Sequence, residues 1–400
     1  MQTYVLALNP TDSVVGGFLP AAARLGLSVT LLTDRPEAYG PAAALGPDVE
    51  VARCDVRDHR AVITHISRRG GPAAVFTNSD HLQTQAALAA DFFGLPGKDW
   101  RAALRTKDKA LMRRHLAAAG VDRVLAVEIL PGQPPEECAE AGGVTYPCVV
   151  KPREGVASED VVRADSPSEL RRACADIRGR RPDDALVVEE FLPGELYTME
   201  TLGDGRTLHV LGGFRTRLSP PPHFVEERLT YVPAHPDPVR TQILDVLDAL
   251  GAGFGACHTE FVVHEGRARV IEVNYRAIGD HCDLLLAELL DIPLFELILT
   301  THLGDRLPGN LGARTDRAAR VDSPCAGRAG VLTSAPGPAD RTEGGVRLAY
   351  RPLRATGERH PLHRTNRDYL GILRTIGPDQ DAVDRAADTF LAAQRWEITP

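Results

Sequence analysis

The chain has 400 residues, 43% hydrophobic and 25% charged, with a formal net charge of −8. That length exceeds what one compact core serves and predicts two or three domains of an ordinary soluble globular protein. The acidic balance argues against a nucleic-acid binder, and seven scattered cysteines without a CxxC pair suggest neither a zinc site nor a disulfide framework, which fits a reducing cytoplasm.

The N-terminus MQTYVLALNP has no basic leader region and reads as a first strand, not a signal peptide. Strands are predicted at 4–9, 28–34, 49–55 and 73–80, with helices over GGFLPAAARLG and DHRAVITHISRRG between them. That alternation implies a Rossmann-like parallel α/β domain over residues 1–100. Gly16-Gly17 lacks the GxGxxG spacing of a dinucleotide fingerprint. GLPGKDWRAALR, 94–105, marks the first boundary, and a helix follows over TKDKALMRRHLAAAGV, with Thr106 as cap and Gly120 as stop. Strands are expected at 124–130, 148–152 and 185–192. SPSELRRACADI reads as a helix with Ser166 and Glu169 as a capping box.

From LYTMETL to about residue 275 the pattern predicts longer antiparallel strands. DLLLAELLDIPLFELILTTH, 283–302, is the most apolar stretch. Its acids and Pro293 make two packed helices the expectation, with no membrane span. Short strands and a final helix, QDAVDRAADTFLAAQRW, complete the chain. The division expected is therefore 1–100, 101–192, 193–310 and a C-terminal α+β extension or lid at 311–400.

Three stretches carry candidate chemistry. HTEFVV, 258–263, and RVIEVNYRAIGDH, 269–281, flank Gly266 and read as an antiparallel hairpin. Symmetry about Gly266 sets Glu260 opposite Glu272 and His258 opposite Asn274. Facing carboxylates repel, and a divalent cation relieves the repulsion. Glu, Glu and Asn form an all-oxygen set suited to Mg²⁺, and Arg276 continues the same face toward a phosphoryl oxygen. The alternative is a solvated strand face. CVVKPREGVASEDV delivers Lys151 at a strand end into a small-residue turn that lets backbone amides approach phosphate. The 46 basic residues include only four lysines, 98, 107, 109 and 151, which marks those positions for inspection. In LVVEEFLPGELYTME two acids end an apolar strand; alone, they read as a solvated strand exit.

Taken in order, TKDKALMRRHLAAAGV, CVVKPREGVAS, VVEEFLPGELY and GACHTEFVVHEGRARVIEVNYRAIGDH resemble the ATP-grasp superfamily over about residues 106–281. The closest likeness is to L-amino-acid ligases and other carboxylate–amine ligases. FVEERLTYVPA, GDH and TNRDYLG (365–371) carry that finer resemblance. It implies a two-subdomain fold gripping ATP. Lys109 and Lys151 would contact the phosphates, Ser158 would lie in the phosphate loop, Glu189, Glu190, Phe191 and Leu192 would form the hinge beside adenine, and Glu195 would hold the ribose. Glu260, Glu272 and Asn274 would bind Mg²⁺, two ions with Mn²⁺ as a substitute, while Arg276 and Lys151 would act in phosphoryl transfer.

The expected reaction activates a carboxylate as an acyl-phosphate and joins it to an amine, giving ADP and phosphate. Natural-product or siderophore biosynthesis is the expected setting. The substrate pocket should include Arg215, Arg217, Glu226, His258, Arg276 and Gly279, with exposed strand charge and structural histidine as the plain alternatives. Partners would be small-molecule carboxylates and amines, with neither nucleic acid nor membrane, in a homodimer. Alternatives on the same scaffold are a carboxylase, a nucleotide-pathway ligase or a non-catalytic ATP-binding protein. Glu159 and Asp160 depart from the family pattern, standing where a small residue and glycine are common, and acids there are unfavourable beside a triphosphate unless they point away.

Overall fold

The computed structural model describes residues 1–400. Strands Gln2–Leu6, Ser28–Thr33, Val49–Arg53 and Ala74–Phe76 form a parallel sheet in the order third, second, first, fourth. Helices Leu19–Arg24 and His59–Arg69 fall within the two predicted stretches, and a further helix, Gln83–Phe92, follows the fourth strand. Gly17 serves packing: a Cβ there would fall 2.4 Å from the Phe295 ring, so glycine lets the first turn approach helix Leu294–His302.

A second sheet, antiparallel, orders Ala126–Ile129, Leu186–Glu190, Cys148–Pro152 and Val162–Ala164. Its apolar face packs on Leu170, Ala173 and Ile177 of helix Pro167–Arg180. Ser166 Oγ caps that helix by accepting from the Glu169 N–H, while Glu169 accepts from the Asp165 N–H. The helix before this sheet corrects an expectation. Thr106 is not its cap, because helix Trp100–Lys107, capped by Asp99, runs through it. Asp108 ends that helix and caps the next, Lys109–Ala119, accepting from the Leu111 N–H at 2.9 Å. Asp108→Ala is therefore expected to cost about 1 kcal/mol in denaturant unfolding, with Asp108→Asn restoring most of it.

The third sheet has nine strands, in the order Arg267–Asn274, Phe254–His264, Glu195–Asp204, Leu208–Leu218, Glu226–Val232, Ala318–Asp322, Gly371–Gly377, Val346–Pro352 and Ala339–Glu343. It continues across residue 310, joining strands of the 193–310 and 311–400 segments. The expected run of strands to 275 is interrupted by a helix, Asp237–Leu250. Val239, Ile243, Val246, Leu247 and Leu250 are buried at helical spacing and Gly251 ends it in the left-handed conformation, so the apolar period of 3.6 overrode the strand pattern around it. Helices Cys282–Leu290 and Leu294–His302 flank Pro293 as expected. They are apolar because they share the largest core with both the parallel sheet (Val5, Leu31, Phe76) and the nine-stranded one (Leu202, Phe214, Val321). No helix is long and apolar enough to cross a membrane.

Candidate active site

A cavity of ≈1120 Å³ opens between the small antiparallel sheet and the nine-stranded one, and every site residue expected from the sequence lines it. The hairpin sets one wall. Its loop is Glu265-Gly266, both at positive φ, so the residues nearest the turn pair about the 265–266 peptide and not about Gly266. An irregularity between Glu260 and Phe261 then shifts the register by one residue. Beyond it Glu260 faces Glu272 and His258 faces Asn274, the pairing expected.

The facing carboxylates are held apart by different partners. Lys109 Nζ donates to Glu272 Oε1 at 2.9 Å. Glu260 Oε1 accepts from Asn274 Nδ2 at 3.2 Å and pairs with His258 Nε2 at 3.3 Å, and His258 Nδ1 pairs with Glu200 at 2.8 Å. Burial alone would push the His258 pKa down, but Glu200 and then Glu260 outweigh it and raise it to about 10. Two carboxylates and an amide fit a hard divalent cation, since half a turn of the Asn274 amide presents its oxygen.

All four lysines are buried or nearly so and bonded. Lys109 Nζ also donates to Gly155 O at 3.2 Å, Lys107 pairs with Asp80, and Lys98 donates to Gln83 Oε1 at 2.7 Å and to Tyr275 O. Lys151 Nζ lies 2.8 Å from Glu189 Oε2, and Arg113 grips both oxygens of the same carboxylate at 2.9 Å each. Burial raises the Glu189 pKa, but the Arg113 and Lys151 charges overcome it and hold it at about 2. The Glu189 side chain is thus consumed inside the fold. Glu190 likewise accepts from the Leu125 N–H at 2.8 Å and from Arg269 at 3.2 Å. The N–H groups of Glu190 and Phe191 donate to Leu125 O and Pro147 O, whereas Leu192 N–H has no internal acceptor. Any hinge function falls to backbone groups at 189–192. Glu195 accepts from Tyr197 Oη at 2.6 Å at the cavity rim.

The loop after Lys151 holds Ala157, Ser158 and Asp160 at φ of 55°, 54° and 60°. Glu159 and Asp160 of this loop do not line the cavity and are answered by arginines. Glu159 pairs with Arg181 at 2.9 Å, and Asp160 with Arg181 at 2.8 Å and Arg180 at 2.5 Å.

Glu226 also lines the cavity. Burial and then nearby Glu260 raise its pKa to about 8. Asn366 Nδ2 donates to it at 3.2 Å. Arg215 and Arg217 are exposed on their strand, Arg217 lying 3.5 Å from Glu227, while Arg276 Nη1 donates to Ala277 O at 2.9 Å. Gly279 precedes Asp280 and His281, both in left-handed conformation, which turn the chain into helix Cys282–Leu290. His281 is tied to Asp12 at 2.7 Å. The Ser219–His223 loop does not line the cavity and rests against Arg163, whose N–H donates to Pro222 O at 3.1 Å.

Sequence reasoning missed Arg113, Glu200, Asp80 and Asn366. Arg113 sits four residues after Lys109 on one helix face, a usable signal. Glu200 faces His258 only through the inter-strand register.

Residues 144–284 match the family model of the ATP-grasp domain. The chain is 29% identical over 429 aligned positions to an uncharacterised protein, y4rH, of Sinorhizobium fredii strain NGR234, covering 100% of this chain and 84% of that one. L-amino acid ligase from Bacillus licheniformis superposes with a TM-score of 0.82 at 21% identity, over 100% of this chain and 99% of the other. Phosphoribosylglycinamide synthetase from Anaerococcus prevotii does so at 0.73 and 14%, over 100% of both.

Proposed function

From a chain that has the ATP-grasp fold and carries an ATP-grasp domain over residues 144–284, we propose an ATP- and Mg²⁺-dependent carboxylate–amine ligase that takes an amino acid as one substrate. One observation carries the reading. Two buried lysines, a facing carboxylate pair with an amide, and Arg276 converge on a single cavity large enough for a nucleotide and a second small molecule.

A carboxylate is a poor electrophile. Transfer of the γ-phosphoryl group of ATP to a carboxylate oxygen forms an acyl-phosphate and releases ADP. An amine then attacks the carbonyl carbon, the amide bond forms, phosphate leaves and the amine loses a proton. The protein's part is positioning and charge neutralisation. Lys109, already against the phosphate-loop carbonyl of Gly155, and Lys151 at the strand end face the triphosphate. Arg276 offers a planar fork to the transferred group. Glu260, Glu272 and Asn274 would hold magnesium, which neutralises triphosphate charge when bound. The cationic His258 between Glu200 and Glu260 keeps the Glu260 carboxylate aimed. Adenine would lie against 189–192 through backbone groups, and Glu195 at the rim would meet the ribose. Arg215, Arg217 and Glu226 would receive the second substrate. The likeness to the Bacillus licheniformis enzyme supports the amide-forming reading over other chemistry on this fold.

The test is phosphate and ADP release across amino acids paired with simple carboxylic acids. Release that requires Mg²⁺, ATP and one acid–amine pair is expected. AMP and pyrophosphate as products would sink the acyl-phosphate route.

A further inference from the structure

The turn at 365–368 joins two parts of the cavity wall, Glu226 and the loop after Lys151. Asn366 Oδ1 accepts from the Glu226 N–H at 3.1 Å, its Nδ2 donates to Glu226 Oε2 at 3.2 Å, and its own N–H donates to Ala157 O at 3.3 Å. Arg367 beside it reaches Glu159 at 3.2 Å. The turn itself is firmly built. Buried Asp368 accepts from the N–H groups of His363 (2.9 Å) and Arg364 (2.5 Å) and pairs with His360 Nε2 at 2.9 Å. The loop it meets is the opposite case. Three non-glycine residues there hold left-handed conformations, each costing about 1 kcal/mol or more, so the loop keeps this shape only while its surroundings hold it.

We propose that Asn366 is a positioning residue that ties the phosphate loop to Glu226, so that nucleotide binding and the orientation of the substrate-side carboxyl are energetically linked. The inference rests on reading 155–160 as the loop that covers ATP phosphates. One amide side chain fixes Glu226 by two bonds while its backbone holds Ala157. Loosening either contact frees the strained loop, and a nucleotide must then pay its ordering entropy on binding. Linkage makes the effect reciprocal: a group that disturbs Glu226 weakens nucleotide binding, and an ordered loop holds Glu226 in place.

A double-mutant cycle on the affinity for the non-hydrolysable analogue Mg·AMP-PNP, read by titration calorimetry on the full chain, tests this. Asn366→Ala is expected to weaken binding about fivefold and Glu226→Ala about threefold, although the proposed function places Glu226 at the second substrate and not at the nucleotide. The double variant should bind no worse than Asn366→Ala alone. An unchanged affinity in Glu226→Ala, or losses that multiply in the double variant, would overturn the link. If Asn366→Ala fails to fold, Asn366→Asp replaces it. That change keeps the bond to the Glu226 N–H, sets a second carboxyl against Glu226 and should also weaken binding, and an unchanged affinity there overturns the link too. Wild-type protein that binds no Mg·AMP-PNP refutes the ATP reading itself, a result distinct from the others.

Discussion

Glu272→Gln is expected to lower turnover at least about a hundredfold, roughly 3 kcal/mol at the transition state, with little change in the fold. The amide oxygen of glutamine still accepts from Lys109 Nζ, so the 2.9 Å hydrogen bond survives while the charge is lost. Stability should shift by only about 1 kcal/mol. What disappears is half of the negative pair that Glu260 and Glu272 present together. Steady-state ADP release with a magnesium titration reads the effect. A right-shifted, depressed magnesium curve is the expected result, and near-normal turnover would refute the metal assignment.

Glu189→Ala should produce the largest stability loss, about 3–5 kcal/mol in denaturant unfolding. The change strands Arg113 and Lys151, both buried, without the carboxylate that answers them. The pH dependence has a definite sign. The Glu189 pKa falls from an ordinary 4.5 to about 2 on folding, so its contribution is fully present above about pH 4.5 and is lost as pH drops toward 2. Wild-type stability should therefore fall through that window more steeply than that of the variant. Parallel curves between pH 4.5 and 2 would show that the carboxylate is not held by these two cations.

Much of the architecture was legible because it is local. Alternating runs read as the parallel sheet, Pro293 splits the apolar stretch into two helices, and the ordered motifs over 106–281 resembled the superfamily whose domain model matches 144–284. The Glu260–Glu272 pairing was read for an incomplete reason. Symmetry about Gly266 fails at the turn, and a one-residue register shift restores it where it matters. No short-range pattern announces such an irregularity.

Helix Asp237–Leu250 is legible in its apolar spacing, although strands precede and follow it. Thr106 and Asp108 both had capping chemistry. What decided between them was the preceding helix, which runs through Lys107.

The rest depends on pairings that span the chain. Arg367 meets Glu159 across 208 positions, Asn366 meets Glu226 across 140, and Arg113 reaches Glu189 across 76. Such contacts turn Glu159 away from the cavity and engage both oxygens of the Glu189 carboxylate with cations inside the fold.

In the proposed reaction one carboxylate oxygen is phosphorylated before the amide forms. An acid substrate labelled with ¹⁸O in its carboxyl group, turned over with Mg²⁺, ATP and its partner amine, tests this most directly. With both carboxyl oxygens labelled, one ¹⁸O per turnover is expected in the released phosphate and none in ADP. Label confined to AMP, or absent from phosphate while amide accumulates, would contradict it.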